Sequence, residues 1–145
     1  MDEDPQTAER VRRLAARDPF VNFVGVRCVS AGSGCATVEL DVGDAHINFN
    51  GRCHGGAIFT LADTAFGLAS NSHGMIAAGI DAHITYHVAA IRGDRLIATA
   101  IEVSRTRRIA VYRIDVKRAD GALVAGFTGT VYILDRPIEA GPGPG

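Results

Sequence analysis

Residues 55–70, GGAIFTLADTAFGLAS, read as a helix that is apolar on nearly every side, with Ile58, Phe59, Leu61, Ala65, Phe66 and Leu68 spread around its circumference. A helix with no wet face belongs inside a protein, so the rest of the chain has to wrap it. The remaining segments have the pattern for that task. Residues 24–29, 34–42, 76–89, 95–104, 109–118 and 123–134 read as strands. In the second of these Ala36, Val38, Leu40 and Val42 alternate with Thr37, Glu39 and Asp41, so one face is core. Turn signals separate them: residues 31–34 (AGSG), Gly93-Asp94, residues 105–108 and Asp120-Gly121. A short amphipathic helix over about residues 6–17 precedes the strands, with Pro5 near its start and Asp18-Pro19 as its stop.

The predicted class is therefore α+β, with a long central helix wrapped by a curved antiparallel sheet of five to six strands. At 145 residues and 47% hydrophobic composition one domain is expected, spanning residues 1–134, with a flexible tail over residues 135–145 ending in GPGPG. A single sheet cannot cover every side of such a helix, so a homo-oligomer is expected to cover the rest.

Charge and cysteine usage narrow the function. Fifteen basic and 16 acidic residues give a net charge of -1, which supplies no general field for nucleic acid. Three cysteines do not make a disulfide framework, and the charged start MDEDPQTAERVRRLAARD is not a secretory signal, so a cytoplasmic protein is expected. No apolar run approaches the roughly 20 residues that span a bilayer, and no membrane partner is expected.

The chemistry concentrates in HINFNGRCHGGAIFTLADTA, residues 46–65. Gly55 and Gly56 let a ligand approach the backbone closely, and the unpaired amides of a helix's first turn favour negative charge, so this turn can hold an oxyanion. Asp63, between apolar neighbours, is expected to be buried; burial raises a carboxylate's pKa, which suits a base, while the helix dipole pulls it the other way, and the sequence leaves the balance open. Cys53-His54 suggests a thiol nucleophile only weakly, because adjacent residues in a turn point apart. His83 and His87 share a strand face but have no third ligand at metal-site spacing, and are read as half-buried polar residues; no metal is expected. Asn48 has an ordinary alternative role, satisfying loop amides.

HINFNGRCHGGAIFTLADTAFGLASNSHG, followed by DAHITYHVAA and the closing strands, resembles the phenylacetyl-CoA thioesterases of the hotdog-fold superfamily over roughly residues 20–134. The resemblance implies a hotdog fold assembled as dimers and usually tetramers, hydrolysing an acyl-CoA to free acid and coenzyme A with no metal or other cofactor. It makes Asp63 the catalytic carboxylate, as general base or nucleophile. It makes the Gly55 amide the oxyanion donor, His54 the residue that helps orient the thioester, and Asn48 a neighbour of the attacking water. Relatives often carry Ser or Thr where this chain has Gly79, so the role of that hydroxyl is either absent here or taken by another group such as Thr64. Arg52 and the cluster Arg105, Arg107 and Arg108 are candidate contacts for the coenzyme A phosphates, set against the commoner role of turn arginines as merely solvated residues. Gly56, Phe59, Asn71 and His73 are expected to line the acyl site. A hotdog hydratase or dehydratase, which would need a histidine poised against a carboxylate, and a non-catalytic acyl-CoA binder are the alternative functions.

Helix geometry adds one expectation. Gly55 and Asp63 are eight residues apart, about 12 Å along a helix at 1.5 Å per residue, too far to serve one carbonyl. Each site is therefore expected to pair Gly55 of one subunit with Asp63 of its mate across a two-fold axis.

Overall fold

The computed structural model describes residues 3–138. Helix α1 (Pro5–Ala16) starts where Asp4 accepts hydrogen bonds from the Thr7 amide (3.0 Å) and hydroxyl (2.7 Å), with Pro5 in the first turn, a position that needs no amide. Asp18-Pro19 does end α1, but it also starts a second helix over residues the sequence pattern left unassigned, and that helix reaches Val24, where a strand was expected to begin. Asp18 caps α2 (Pro19–Val24) by accepting from the Phe20 and Val21 amides, both at 3.1 Å, and Gly25 ends it at φ 93°. The first strand is displaced accordingly, to β1 (Arg27–Gly32).

The strands β2 (Cys35–Asp41), β3 (Met75–Tyr86), β4 (Arg95–Arg105), β5 (Ile109–Arg118) and β6 (Leu123–Pro137) complete one antiparallel sheet in the order β1-β2-β4-β5-β6-β3. β3 ends three residues earlier than expected, and β6 continues through Asp135–Pro137, so the first residues assigned to a flexible tail are strand. The GPGPG end lies outside the described residues.

Helix α3 (Gly55–Ser70) crosses β2, β4 and β5, as a wrapped central helix requires. Ala36, Ala98, Ala100 and Ala110 are fully buried beneath it, and these small side chains let a helix sit close to a sheet. Phe66 anchors the helix to the sheet, with its ring centroid 5.9 Å from that of Tyr112 and 5.6 Å from that of Phe127. The slot it fills is glycine-lined: a Cβ at Gly129 would come within 2.6 Å of the Phe66 ring and one at Gly79 within 3.2 Å. One side of α3 stays open in the chain, where Gly56 and Asp63 are exposed and Thr60 and Gly67 half-buried. β3 is an edge strand, and residues 78–83 along it are exposed.

Candidate active site

The first turn of α3 is arranged around His54. Its backbone is extended (φ -61°, ψ 135°), and its ring folds over the helix so that Nδ1 accepts from the Gly56 amide at 2.8 Å. A ring nitrogen that accepts carries no proton, so Nε2 holds it and the imidazole is neutral in this cap. Glycine at 56 gives the ring room, because a Cβ there would lie 3.0 Å from Nδ1 and the ring would have to give by a few tenths of an ångström. The Ala57 and Ile58 amides bond the His54 carbonyl at 2.9 and 3.2 Å. One first-turn donor is left: the Gly55 amide has no partner among the described residues. Gly56, expected at the substrate site, is exposed, but its amide is already taken by His54, so it has no free donor to offer a substrate.

Tyr86, at the end of β3, donates its hydroxyl to the Gly55 carbonyl at 3.0 Å and pins the turn from the opposite side. Desolvation pushes its pKa up, keeping the phenol a donor. Sequence reasoning missed this residue. It lies 31 positions from Gly55, and only the sheet topology brings it there.

The loop before α3 is held by its own side chains. Asn48 Oδ1 accepts from the Asn50 amide (2.9 Å) and the Arg52 amide (3.1 Å), and Gly51 takes φ 76° to close the turn. Asn48 thus plays the ordinary loop role weighed for it. The Arg52 side chain is exposed and has no ion pair among the described residues. Cys53 is buried and its thiol is pushed up to about 11 by desolvation, then by the Asp94 charge, so it is a neutral thiol beside a histidine already committed to Gly56. That removes a Cys-His nucleophile.

Asp63 differs from the expectation of a buried carboxylate. It is exposed, opening into a cavity of about 1020 Å³ whose wall also includes Phe59, Thr60, Thr64, Gly67 and Asn71. It has no hydrogen bond or ion pair among the described residues, and partial desolvation by the cavity wall still raises its pKa above the ordinary value of 3.8. An unpartnered carboxylate with a raised pKa is a ready proton acceptor. Phe59 and Asn71 lie where the acyl site was expected. The Asn71 amide, however, is engaged with the Gly67 carbonyl (2.8 Å) and with the Ala77 amide (2.9 Å) and carbonyl (3.2 Å). Thr64 donates to the Thr60 carbonyl at 2.7 Å, leaving only its oxygen lone pairs for a substitute role. At Gly79 the Phe66 ring takes the room that a hydroxyl-bearing side chain would use.

His73 is not in this cavity, which corrects its assignment to the acyl site. It sits past the other end of α3, where Nε2 meets Glu102 at 2.8 Å; Tyr112 donates to the same carboxylate at 2.6 Å. Arg105 lies 4.0 Å from Glu102, while Asp135 holds Arg108 at 2.6 Å and Arg107 at 3.7 Å. This arginine turn adjoins the end of β6, whose Pro137 pairs with Met75 just after α3, whereas the Gly55 turn lies beside Tyr86 at the opposite end of β3. Within one chain the structure therefore does not gather Arg52 with Arg105, Arg107 and Arg108. His83 and His87 are exposed rather than half-buried, and no group of three or more His, Cys, Asp or Glu able to hold a metal occurs among the described residues. No described helix is long and apolar enough to cross a membrane.

The chain has relatives among known proteins. The family model described as "Thioesterase superfamily" matches residues 50–125. A putative esterase of Archaeoglobus fulgidus is 42% identical over 128 residues, covering 88% of this chain and 83% of its own length. The Escherichia coli acyl-coenzyme A thioesterase PaaI is 34% identical over 130 residues, covering 90% and 93%. The solved structure of the E. coli PaaI protein, from the phenylacetic acid degradation operon, superposes with a TM-score of 0.87 at 28% identity over 92% of this chain and 99% of that one. A hypothetical thioesterase from Streptococcus pneumoniae, solved with coenzyme A, superposes at 0.75 with 25% identity over 79% and 89%.

Proposed function

The chain belongs to the thioesterase superfamily as a hotdog-fold acyl-CoA thioesterase, and from that premise we propose that it hydrolyses phenylacetyl-CoA and hydroxylated phenylacetyl-CoA in the aerobic breakdown of phenylacetate and related aromatics. The observation that carries the reading is Asp63, an unpartnered carboxylate with a raised pKa in a cavity that Phe59 helps to line.

In the proposed reaction Asp63 takes a proton from water as the water oxygen attacks the thioester carbon. The carbonyl oxygen gains negative charge and is met by the free Gly55 amide. The C–S bond then breaks, the proton passes to the departing sulfur, and free acid and coenzyme A leave. Such an amide is worth about 3 kcal/mol and such a base a factor of about 10² to 10⁴ in rate. Neither step calls for a metal or cofactor. His54 acts by holding Gly56, leaving the Gly55 donor as the open one, and Asn48 acts by fixing the loop. Arg52, unpaired beside the turn, is the proposed contact for a coenzyme A phosphate. His54 faces an amide rather than a carboxylate, and the histidine that does meet a carboxylate, His73 at Glu102, lies outside the cavity that Asp63 lines, so a hydratase or dehydratase finds less support than a thioesterase.

Gly55 and Asp63 occupy positions eight residues apart on α3, about 12 Å of helix, so the working site is proposed to form between subunits. The open side of α3 and the exposed edge strand β3, whose residues 78–83 carry one charge, Asp81, support a dimer and then a tetramer, and a cytoplasmic location is part of the proposal.

The acyl preference is tested by thiol release from a panel of acetyl-, butanoyl-, decanoyl-, phenylacetyl- and hydroxyphenylacetyl-CoA. The two aryl thioesters are expected to have the highest kcat/KM, by about tenfold over acetyl-CoA. Equal values across the panel would reject the aryl assignment while leaving the thioesterase activity standing.

A further inference from the structure

Gly67 stands one turn beyond Asp63 on α3, in the wall of the same cavity. Nothing in the chain itself calls for glycine there. A Cβ at this position would meet no atom within 4 Å, and Gly67 is not among the positive-φ glycines. Glycine inside a helix is less favourable than alanine, so the vacant space has been kept at a cost in helix stability.

The surroundings indicate what the space suits. Leu14 of α1, Phe20 of α2, Leu68 of α3 and Ile76 of β3 line the cavity with Gly67, so the N-terminal helices form one wall of it. The nearby polar groups of α3 are turned inward: Thr60 donates to the Gly56 carbonyl (2.8 Å), Thr64 to the Thr60 carbonyl (2.7 Å) and Asn71 to the Gly67 carbonyl (2.8 Å). The helix therefore offers a bed with no free side-chain donor, while Arg17, Asp18 and Arg136 also line the cavity. From Asp63 to Asn71 that bed runs about 12 Å, at 1.5 Å of rise per residue.

We propose that Gly67 is a specificity-determining residue, which keeps open a channel for apolar acyl groups extending past a single aromatic ring, from Asp63 along α3 beneath α1 and α2 toward Asn71. This rests on the proposed function in one respect, that the thioester carbonyl lies at Asp63. The rest of the acyl group then has the part of the cavity lined by Leu14, Phe20, Leu68 and Ile76 as its apolar outlet, and a side chain at position 67 would stand in its path.

The test is binding of two non-hydrolysable thioethers, S-butyl-CoA and S-decyl-CoA, by calorimetry to the wild type, Gly67→Ala and Gly67→Leu, with oligomeric mass followed by light scattering. The ratio of decyl to butyl affinity is expected to fall at least tenfold in Gly67→Leu and about threefold in Gly67→Ala, at constant mass. An unchanged ratio in both variants overturns the proposal, as does a change of mass, which would assign the space to a second copy's helix instead. Should Gly67→Leu fail to fold, Gly67→Ala, favoured in a helix, decides the matter alone. Asp63→Asn is measured alongside: if it still hydrolyses thioesters at the wild-type rate, the role given to Asp63 is wrong, and the affinity ratio still judges Gly67.

Discussion

At the N-terminal end of α3, His54 sits beside an amide with no partner, and two turns along the helix lies a carboxylate with none either. Past the C-terminal end His73 meets Glu102, which Tyr112 also holds. Both places join a histidine, a tyrosine and an acid to one helix, and hydrogen-bond saturation separates them. Glu102 is pushed up by desolvation, but its bonds from Tyr112 and His73 outweigh that and hold its pKa below the ordinary value of 4.5. Asp63 has desolvation alone and is raised. A saturated carboxylate holds the fold together. An unsaturated one is available for chemistry.

The widest separation between the two is expected from Asp63→Asn, which should lower the rate of thiol release by about 10² to 10⁴. A carboxylate whose folded pKa is raised stabilises the fold fully below its unfolded pKa, and that contribution is lost as pH rises through the folded value. The neutral asparagine should consequently melt at or above the wild-type temperature at pH 7. Wild-type activity should fall with acid at a midpoint above 3.8, because the base must be ionised. The companion variant is Gly55→Pro, which deletes the free amide at a helix position that tolerates proline, after a residue already extended. Mixing the two inactive chains should restore activity if a site draws on both subunits, and continued inactivity of the mixed oligomer would count against sharing.

Glu102→Gln inverts the pattern. Its expected effect is a loss of about 1 to 3 kcal/mol of stability, read by denaturant unfolding, with kcat/KM within about twofold of wild type. The wild-type advantage should itself disappear as pH falls through the lowered Glu102 pKa, since the stabilising form is the ionised one. A large loss of activity without loss of stability would erase the distinction between the two ends.

The smallest effect is expected from His54→Ala. Losing the cap should cost about 1 kcal/mol, and it frees the Gly56 amide to compete with that of Gly55. A fall in kcat larger than that of Gly55→Pro would mean that the imidazole touches substrate after all.

Much of this was legible along the chain. The apolar run of α3 has the bounds that its composition demanded, and β5 begins and ends where alternation and the Asp120-Gly121 turn put it. Helix α2 was hidden because Asp-Pro serves equally as the end of one helix and the start of the next. The site was legible where its chemistry is local, in the His54-Gly55 turn and Asp63. It was illegible where partners come from distant strands: Tyr86 reaches Gly55 from β3, and Glu102 draws His73 away from the cavity. Exposure of Asp63 was also unreadable, since hydrophobic neighbours along a helix do not reveal which side the sheet leaves uncovered.

The slot around Phe66 bears on the ancestry of the fold. Three positions far apart in the chain, 66, 79 and 129, share one small volume, and the aromatic ring occupies it against two glycines. A descendant that acquired a hydroxyl-bearing side chain at 79 would first have to shift or trim that ring, and a methyl group at 129 would collide with it outright. Positions 66 and 129 are therefore bound to drift in concert, lineages that diverge here exchanging bulk between them, whereas position 79 asks of the ring only a few tenths of an ångström.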